Sequence, residues 1–263
     1  MFYDNFFKRY IFRKNFFKRA KMRLGIERRK MFKDEFEDMA LLFTTLNKQP
    51  EYIFDCGANI GYVTHVFLKK FPNAIIHAFE PNPAVFEQLN SSFGSNPNVV
   101  VQNKGIGKTK GSLTFNINKN SGTSSFLAPN AFHTMNYANK NIVEKVVEVV
   151  GIGEYMKENN IPCIDLLKMD IEGFELEALK GIDNIETKVK MIYTEVNLIP
   201  TYETQPLIND IINYLHQHNF HIFNFYGVNE NKYNQASFTN LVFISDSLKN
   251  ELKEKVGEKY FGY

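Results

Sequence analysis

Hydrophobic and polar positions follow two different periods between residues 52 and 245. Short apolar runs, typical of strands buried on both faces, are separated by segments whose apolar residues recur every three or four positions, as in amphipathic helices. The main predicted strands cover residues 52–54, 74–79, 98–102, 164–169 and 191–196, and the main predicted helices cover 62–71, 83–93 and 206–219. This alternation predicts an α/β fold with a mostly parallel sheet, helices on both faces and an antiparallel C-terminal strand pair.

The N-terminal part of the chain has its own helical pattern. Its apolar positions step by three and four, and they are Phe32, Phe36, Met39, Phe43 and Leu46. This spacing predicts a helix over 32–46 that covers the edge or mouth of the following domain. We therefore divide the chain into a helical segment, 1–48, and a globular domain, 49–263. Residues 118–141 are polar and without clear period, which is typical of a lid, a binding loop or an unstructured loop.

Polar side chains stand at the ends of five predicted strands. They are Asp55, Glu80, Asn103, Asp170 and Glu195. In open parallel sheets, ligands bind outside the carboxyl ends of the strands. We therefore expect these five side chains to lie along one edge of the sheet and to mark a binding site.

A glycine-rich turn follows the first of these strands. Gly57, Asn59 and Gly61 separate the strand from the helix at 62–71. Glycines let a backbone approach a ligand closely, and a helix N-terminus offers free N–H groups. Glu80 lies at the tip of the second strand, where an acidic residue suits a ribose diol, because a carboxylate accepts two O–H hydrogen bonds.

Three motifs in this order resemble a known family. They are Asp-x-Gly-Ala-Asn-x-Gly at 55–61, Phe-Glu-Pro-Asn-Pro at 79–83 and Lys-x-Asp-x-Glu-Gly-x-Glu at 168–175. Together they resemble the S-adenosylmethionine (SAM) dependent methyltransferases of the FkbM family, over residues 52–245. The resemblance implies a Rossmann-like class I methyltransferase fold. It also implies methyl transfer to a hydroxyl of a sugar, a glycan or a related small molecule.

The resemblance also implies roles for individual residues. Turn 57–61 would cradle the methionine part of SAM, and Asp55 would orient that turn or meet the cofactor's amino group. Glu80 would hold the ribose, and residues 103–106 would flank the adenine. The cofactor-binding residues expected on this basis are Asp55, Gly57, Asn59, Gly61, Glu80, Asn82, Asn103, Ile106 and Asp170.

Transfer of a methyl group to oxygen also needs a destination for the hydroxyl proton. Asp170 and Glu172 place two carboxylates at one strand-to-helix junction, and either is a candidate base. We expect Lys168 and Glu195 to place or polarise the acceptor. An alternative interpretation is that Glu172 and Glu175 only complement a helix dipole. Mg²⁺ is a further possible cofactor, with oxygen ligands from Asp170, Glu195 and Asn197.

Composition indicates the surroundings in which the protein works. The chain has only two cysteines, Cys56 and Cys163, which fits a reducing compartment. No apolar run is long enough to span a membrane or to form a signal peptide. We therefore expect a cytoplasmic protein. Residues 1–33 carry a net charge of +10 and the rest of the chain −8. The basic, aromatic residues 1–30 fit three uses: packing on the domain or a partner, peripheral binding to an anionic membrane, or, less well, binding nucleic acid.

Two other functions compete with the sugar O-methyltransferase. One is a SAM-binding or interaction module without catalysis. The other is a nucleic-acid methyltransferase that uses the basic arm. We rank the latter lower, because the acidic body would repel a phosphate backbone and because the chain lacks an Asn-Pro-Pro-Tyr motif. Which hydroxyl is methylated and how many copies of the chain associate do not follow from the sequence.

Overall fold

The computed structural model describes residues 34–137 and 142–257, and the basic N-terminal residues lie outside these ranges. The strands are β1 Tyr52–Cys56, β2 Ile75–Phe79, β3 Val99–Gln102, β4 Gly105–Gly107, β5 Gly111–Ile117, β6 Val143–Gly151, β7 Ile164–Met169, β8 Val189–Asn197, β9 Phe220–Glu230 and β10 Ala236–Ser245. The helices are α1 Glu35–Thr45, α2 Tyr62–Lys70, α3 Pro83–Phe93, α4 Ala131–Tyr137, α5 Ile152–Glu158, α6 Glu175–Leu179, α7 Ile185–Lys188, α8 Ile208–Gln217 and α9 Asp246–Val256.

Seven strands form the central sheet, in the order β3-β2-β1-β7-β8-β10-β9. The first five run parallel, and β10 pairs antiparallel with both β8 and β9. The six residues of β7 are all buried, as a parallel strand covered on both faces requires. The predicted fold class is therefore confirmed, including the antiparallel pair at the C-terminal end.

Helices cover both faces of the sheet. On one face α5, α6 and α8 contribute Tyr155, Leu179 and Leu215 to the larger apolar cluster. On the other face α1, α2 and α9 surround a second cluster. The ring of Phe36 in α1 lies edge-on at 5.8 Å from Phe67 and also from Tyr193 of β8. Helix α1 thus lies on a face of the sheet, and not over an edge or mouth as its sequence suggested.

Three further segments differ from their sequence patterns. The sequence predicts a turn at 103–107, but this segment contains β4, which joins β6 and β5 in a separate three-stranded sheet. The sequence also predicts the antiparallel pair at 220–225 and 241–244, but β9 and β10 extend further and leave only residues 231–235 as their connection. Segment 118–141 includes a 3₁₀ turn, Ser121–Thr123, and helix α4. Most of β9 is exposed at the edge of the sheet, so its mixed residues lack the alternation that marks a half-buried strand.

Two observations bear on the sequence expectations for membrane spans and thiols. Within the residues described, no helix is long and apolar enough to cross a membrane. Cys56 is buried, Cys163 is partly buried, and both are free thiols.

Candidate active site

A cavity with about 550 Å³ of empty space, part of it open solvent, lies at the carboxyl ends of β1, β2 and β7. Its lining comes from the glycine-rich turn, from the ends of β2, β3 and β7, from β4 and β5, and from the segment after β5. The lining residues are Gly57, Asn59, Phe79, Glu80, Pro81, Lys104, Ile106, Phe115, Ser121, Gly122, Ser124, Phe126, Asp170, Ile171 and Glu172.

Tight packing holds the glycine-rich turn between its neighbouring strands. Gly57 has a φ of +74°, and a Cβ atom there would lie 1.9 Å from the carbonyl oxygen of Asp170. The N–H groups of Gly57 and Ala58 both donate to the carbonyl oxygen of Phe79, at 3.0 and 2.9 Å. Glycine is therefore needed here both for its backbone conformation and for the space it leaves. Gly61 faces the ring of Phe93, so it serves packing and does not line the cavity.

A buried ion pair lies beneath the turn. The ammonium of Lys168 is 3.1 Å from Asp55 Oδ1, and it donates to the carbonyl oxygen of Gly57 at 2.8 Å. The hydroxyl of Thr64 donates to the other carboxylate oxygen of Asp55 at 2.6 Å. Burial disfavours the charge of Lys168, yet the carboxylates of Asp55 and Asp170 raise its pKa above the ordinary value. Asp55 and Lys168 thus support the turn from below, which is the first of the two roles expected for Asp55.

Glu80 is positioned by backbone donors from both sides. Its two carboxylate oxygens accept N–H groups, one from Asn59 at 3.0 Å and one from Asn82 at 2.8 Å. The side-chain amide of Asn103 donates to the carbonyl oxygen of Glu80 at 2.9 Å. Asn82 and Asn103 therefore orient Glu80 without lining the cavity. Burial raises the pKa of Glu80 to about 7, although the two N–H groups partly offset this.

A cluster of carboxyl groups forms the other end of the site. Asp170 follows β7 with 46% of its side chain exposed. Glu172 stands in a left-handed turn, with a φ of 55°. Burial, Glu195 and Asp170 together raise the pKa of Glu172 well above its ordinary value, and burial and Asp170 do the same for Glu195. The structure therefore brings together all three acidic residues that the sequence offered for this chemistry.

Tyr202 connects this cluster to the segment that covers the cavity. Its hydroxyl is 2.9 Å from Glu172 Oε2 and 2.8 Å from the carbonyl oxygen of Thr123. The hydroxyl has one hydrogen, so both contacts are hydrogen bonds only when Glu172 is protonated and donates to Tyr202. This geometry agrees with the raised pKa of Glu172. The hydroxyl of Ser125 donates to the carbonyl oxygen of Glu172 at 2.7 Å, which fixes the same segment to the same turn.

Several residues of the site carried no specific signal in the sequence. Ser121, Ser124 and Phe126 lie in the segment identified as a lid or binding loop, so their region was predicted but their positions were not. Tyr202 is 2% exposed and comes from the connection between β8 and α8, which had no functional pattern. Phe115 points into the cavity from a strand of the smaller sheet. Only the tertiary structure identifies Tyr202 and Phe115 as residues of the site.

The cavity fits a nucleoside-type cofactor better than a metal ion. Ile106, Phe115 and Phe126 form an apolar wall, and the carboxylate oxygens of Glu80 keep a second lone pair each for hydroxyl groups. In the part of the chain that is described, no group of three or more His, Cys, Asp or Glu residues is placed to hold a metal ion. The Mg²⁺ site offered by Asp170, Glu195 and Asn197 thus has no support from the geometry.

Comparison with known proteins gives consistent matches. The sequence model described as the methyltransferase FkbM domain matches residues 55–222. Hexuronic acid methyltransferase AglP of Haloferax volcanii is 26% identical over 162 residues, which cover 61% of this chain and 62% of that protein. Methyltransferase sdnD of Sordaria araneosa is 29% identical over 182 residues, 60% of this chain and 70% of that protein. The 2-O-methyltransferase NoeI of Sinorhizobium fredii is 25% identical over 181 residues, 66% and 74% of the two chains.

Proposed function

The chain belongs to the FkbM methyltransferase family, and from this premise we propose that it is a SAM-dependent O-methyltransferase acting on a hydroxyl of a saccharide or a related small molecule. One observation carries the proposal. A single cavity joins a buried carboxylate suited to a ribose diol, Glu80, to a cluster of carboxyl groups suited to accept a proton, Asp170 and Glu172. The matched segment spans 62% of the length of the archaeal relative.

Different residues of the chain would bind different parts of the cofactor. Glu80 would accept hydrogen bonds from the ribose hydroxyls, and the apolar wall with Ile106 and Phe126 would contact the base. The backbone at Gly57 would approach the amino-acid part closely, because the glycine has no side chain. In the strand order, β2 and β7 are separated by β1, so Glu80 and Asp170 stand about 10 Å apart along the sheet edge. A cofactor lying across this edge would bring its reactive end to the carboxyl cluster.

Proton removal is the chemical task left to the protein. When bound, SAM would supply the methyl group from its positively charged sulfonium. Glu172, in its ionised form, would accept the hydrogen bond of the reacting hydroxyl and take up its proton as the methyl group is transferred, because a base with a raised pKa holds a proton more readily than an ordinary carboxylate does. Asp170, the more exposed carboxylate, would accept a hydrogen bond from a neighbouring hydroxyl of the acceptor and orient it. Tyr202 would keep the Glu172 side chain in place.

The relatives' names support the substrate class. One is a hexuronic acid methyltransferase and another a 2-O-methyltransferase, so sugar-directed and hydroxyl-directed transfer both occur among proteins similar to this chain. The segment between β5 and α4 and the connection that holds Tyr202 meet above the carboxyl cluster. We propose that these two segments contact the acceptor.

The cofactor assignment is tested by calorimetric titration with S-adenosylhomocysteine (SAH). Wild-type protein should bind SAH, and Glu80→Ala should bind it at least tenfold more weakly, because the diol loses its charged acceptor. Glu87→Ala, an exposed glutamate of α3 outside the cavity, is the control and should bind as wild type does. NAD should not bind. Equal affinity of the Glu80 and Glu87 variants for SAH would overturn the assignment.

We further propose that residues 1–30 hold the enzyme at the inner face of the cell membrane. Basic residues near an anionic surface contribute about 1 kcal/mol each, and rings among them suit the headgroup region. The full chain should sediment with phosphatidylglycerol vesicles but not with phosphatidylcholine vesicles. Deleting residues 1–30 should abolish sedimentation without changing the affinity for SAH. Sedimentation that survives the deletion, or a preference for RNA over vesicles, would contradict this proposal.

A further inference from the structure

Carboxyl groups line the acceptor end of the cavity. Asp170 and Glu172 line it, and Glu195 and Glu175 lie close enough to raise the pKa of neighbouring carboxyl groups. An acceptor that reaches Asp170 must therefore approach several carboxyl groups at once. An anionic acceptor would be repelled by each of these groups that is ionised and would raise the pKa of the others further, so its binding would cost free energy.

The basic side chains described near the cavity are already bound to other groups. Lys168 is 3% exposed, and its ammonium lies 4.0 Å from Asp170 Oδ2 but is bound more closely to Asp55 and to backbone carbonyl oxygens beneath the turn. Lys104 is the one basic residue among the lining residues named above, and it is 3.7 Å from Glu148. It follows β3, which lies three strand spacings from β7, about 14 Å along the sheet. Lys104 thus stands at the cofactor's end of the cavity.

Arginine is also missing from the domain. All six arginines of the chain lie between Arg9 and Arg29, and residues 30–263 contain none. The planar guanidinium group is the side chain best suited to bind a carboxylate or a phosphate through two parallel hydrogen bonds. The part of the domain that the structure describes has a carboxyl-lined acceptor end and no arginine, so it offers no such group to an anionic sugar.

We infer that the acceptor is an uncharged sugar ring, and not a hexuronic acid or a sugar phosphate. This inference rests on the proposed function and narrows its substrate class. A hydroxyl group both donates and accepts, and a carboxyl group can meet it in either sense, as a donor when protonated and as an acceptor when ionised. Carboxylates also accept pairs of sugar hydroxyls, as proposed for Glu80 and the ribose. The acceptor would then differ from the one in the name of the archaeal relative, hexuronic acid methyltransferase AglP.

The experiment uses the full chain, tritiated SAM and a total glycan and lipid extract of the cells that make the protein. Half of the extract is treated with carbodiimide and borohydride, which converts uronic acids into the matching neutral sugars. Labelled products are hydrolysed and separated by anion exchange, and volatile label from methyl esters is collected separately. Binding of SAH is titrated in parallel.

Label should enter both halves within about twofold and should elute with uncharged monosaccharides. At least tenfold loss of label after carboxyl reduction, or label in acidic sugars or methyl esters, would overturn the inference and leave the methyltransferase proposal intact. Absence of incorporation in both halves would count against methyl transfer to glycans itself. Failure to bind SAH would defeat the cofactor assignment. The results thus distinguish a failure of the inference about the acceptor from a failure of the proposed function.

Discussion

Replacing Gly57 with alanine is expected to destabilise the protein by roughly 2–5 kcal/mol and to abolish SAH binding. The new Cβ atom would lie 1.9 Å from the carbonyl oxygen of Asp170, and this oxygen belongs to backbone that cannot turn away as a side chain can. The positive φ of +74° adds strain for any residue with a Cβ atom. Strands β1 and β7 would have to separate, which opens the floor of the cavity.

The strain and the overlap can be measured separately. Gly227 also has a positive φ, +58°, but no atom lies within 4 Å of an added Cβ. Gly227→Ala should therefore lose only about 1–2 kcal/mol and keep full SAH affinity. Urea unfolding and SAH titration of both variants test this. Equal destabilisation by the two substitutions would show that the close approach of β1 and β7 does not limit the site.

Replacing Glu172 with glutamine is expected to lower kcat for methyl transfer by about 10²- to 10⁴-fold. Glutamine keeps the shape of the side chain and a partner for Tyr202 but cannot take up the hydroxyl proton. The affinity for SAH should change by less than threefold, because Glu172 is assigned to the acceptor and not to the cofactor. Transfer is measured with the labelled extract described above.

The pH dependence identifies the base more sharply than the loss of rate. Burial, Glu195 and Asp170 raise the pKa of Glu172, and a base acts only when ionised, so the wild-type rate should rise with pH until that raised pKa is passed. Glu172→Gln should remove this inflection. Glu177→Gln, on the helix that follows Glu172 but paired with Lys180 at the surface, should leave rate and profile unchanged.

Other outcomes assign the roles differently. If Asp170→Asn removes the inflection and Glu172→Gln keeps it, Asp170 is the base and Glu172 only supports it. If wild-type protein binds SAH but transfers no label to any extract, the chain is a SAM-binding module without catalysis. The hydrogen bond between Tyr202 and Glu172 allows a further test that Glu172 is the base. Tyr202→Phe should shift the inflection of the pH–rate profile without removing it.

Local patterns in the sequence determined most of the sheet and six of the fifteen residues that line the cavity. Every central strand and most helices follow from the spacing of apolar residues, because each pattern is complete within a few turns or strand residues. Gly57, Asn59, Glu80, Ile106, Asp170 and Glu172 were all expected at the site, and all line the cavity. Their positions at strand ends suffice for this, since parallel strands end at one edge.

Tertiary structure decided which way the remaining polar groups face. Asp55 and Lys168 belong to the same motifs as the lining residues, but they bind each other beneath the turn, because they are paired in register on the adjacent strands β1 and β7. Asn82 and Asn103 do not line the cavity, and they contribute to the site by donating hydrogen bonds to Glu80. These contacts join residues far apart in the chain, so no local pattern contains them.

The same contrast between sequence and packing holds for the smaller sheet, for helix α1 and for Tyr202. The sequence by itself determined the elements, the cofactor motifs, the lack of arginine in the domain and the acidic residues at the strand ends. Packing alone decided that Phe115 enters the cavity, that α1 lies on a sheet face and that Tyr202 joins Glu172 to the covering segment. Local periodicity specifies an element, whereas its neighbours depend on contacts between segments that are distant in the chain.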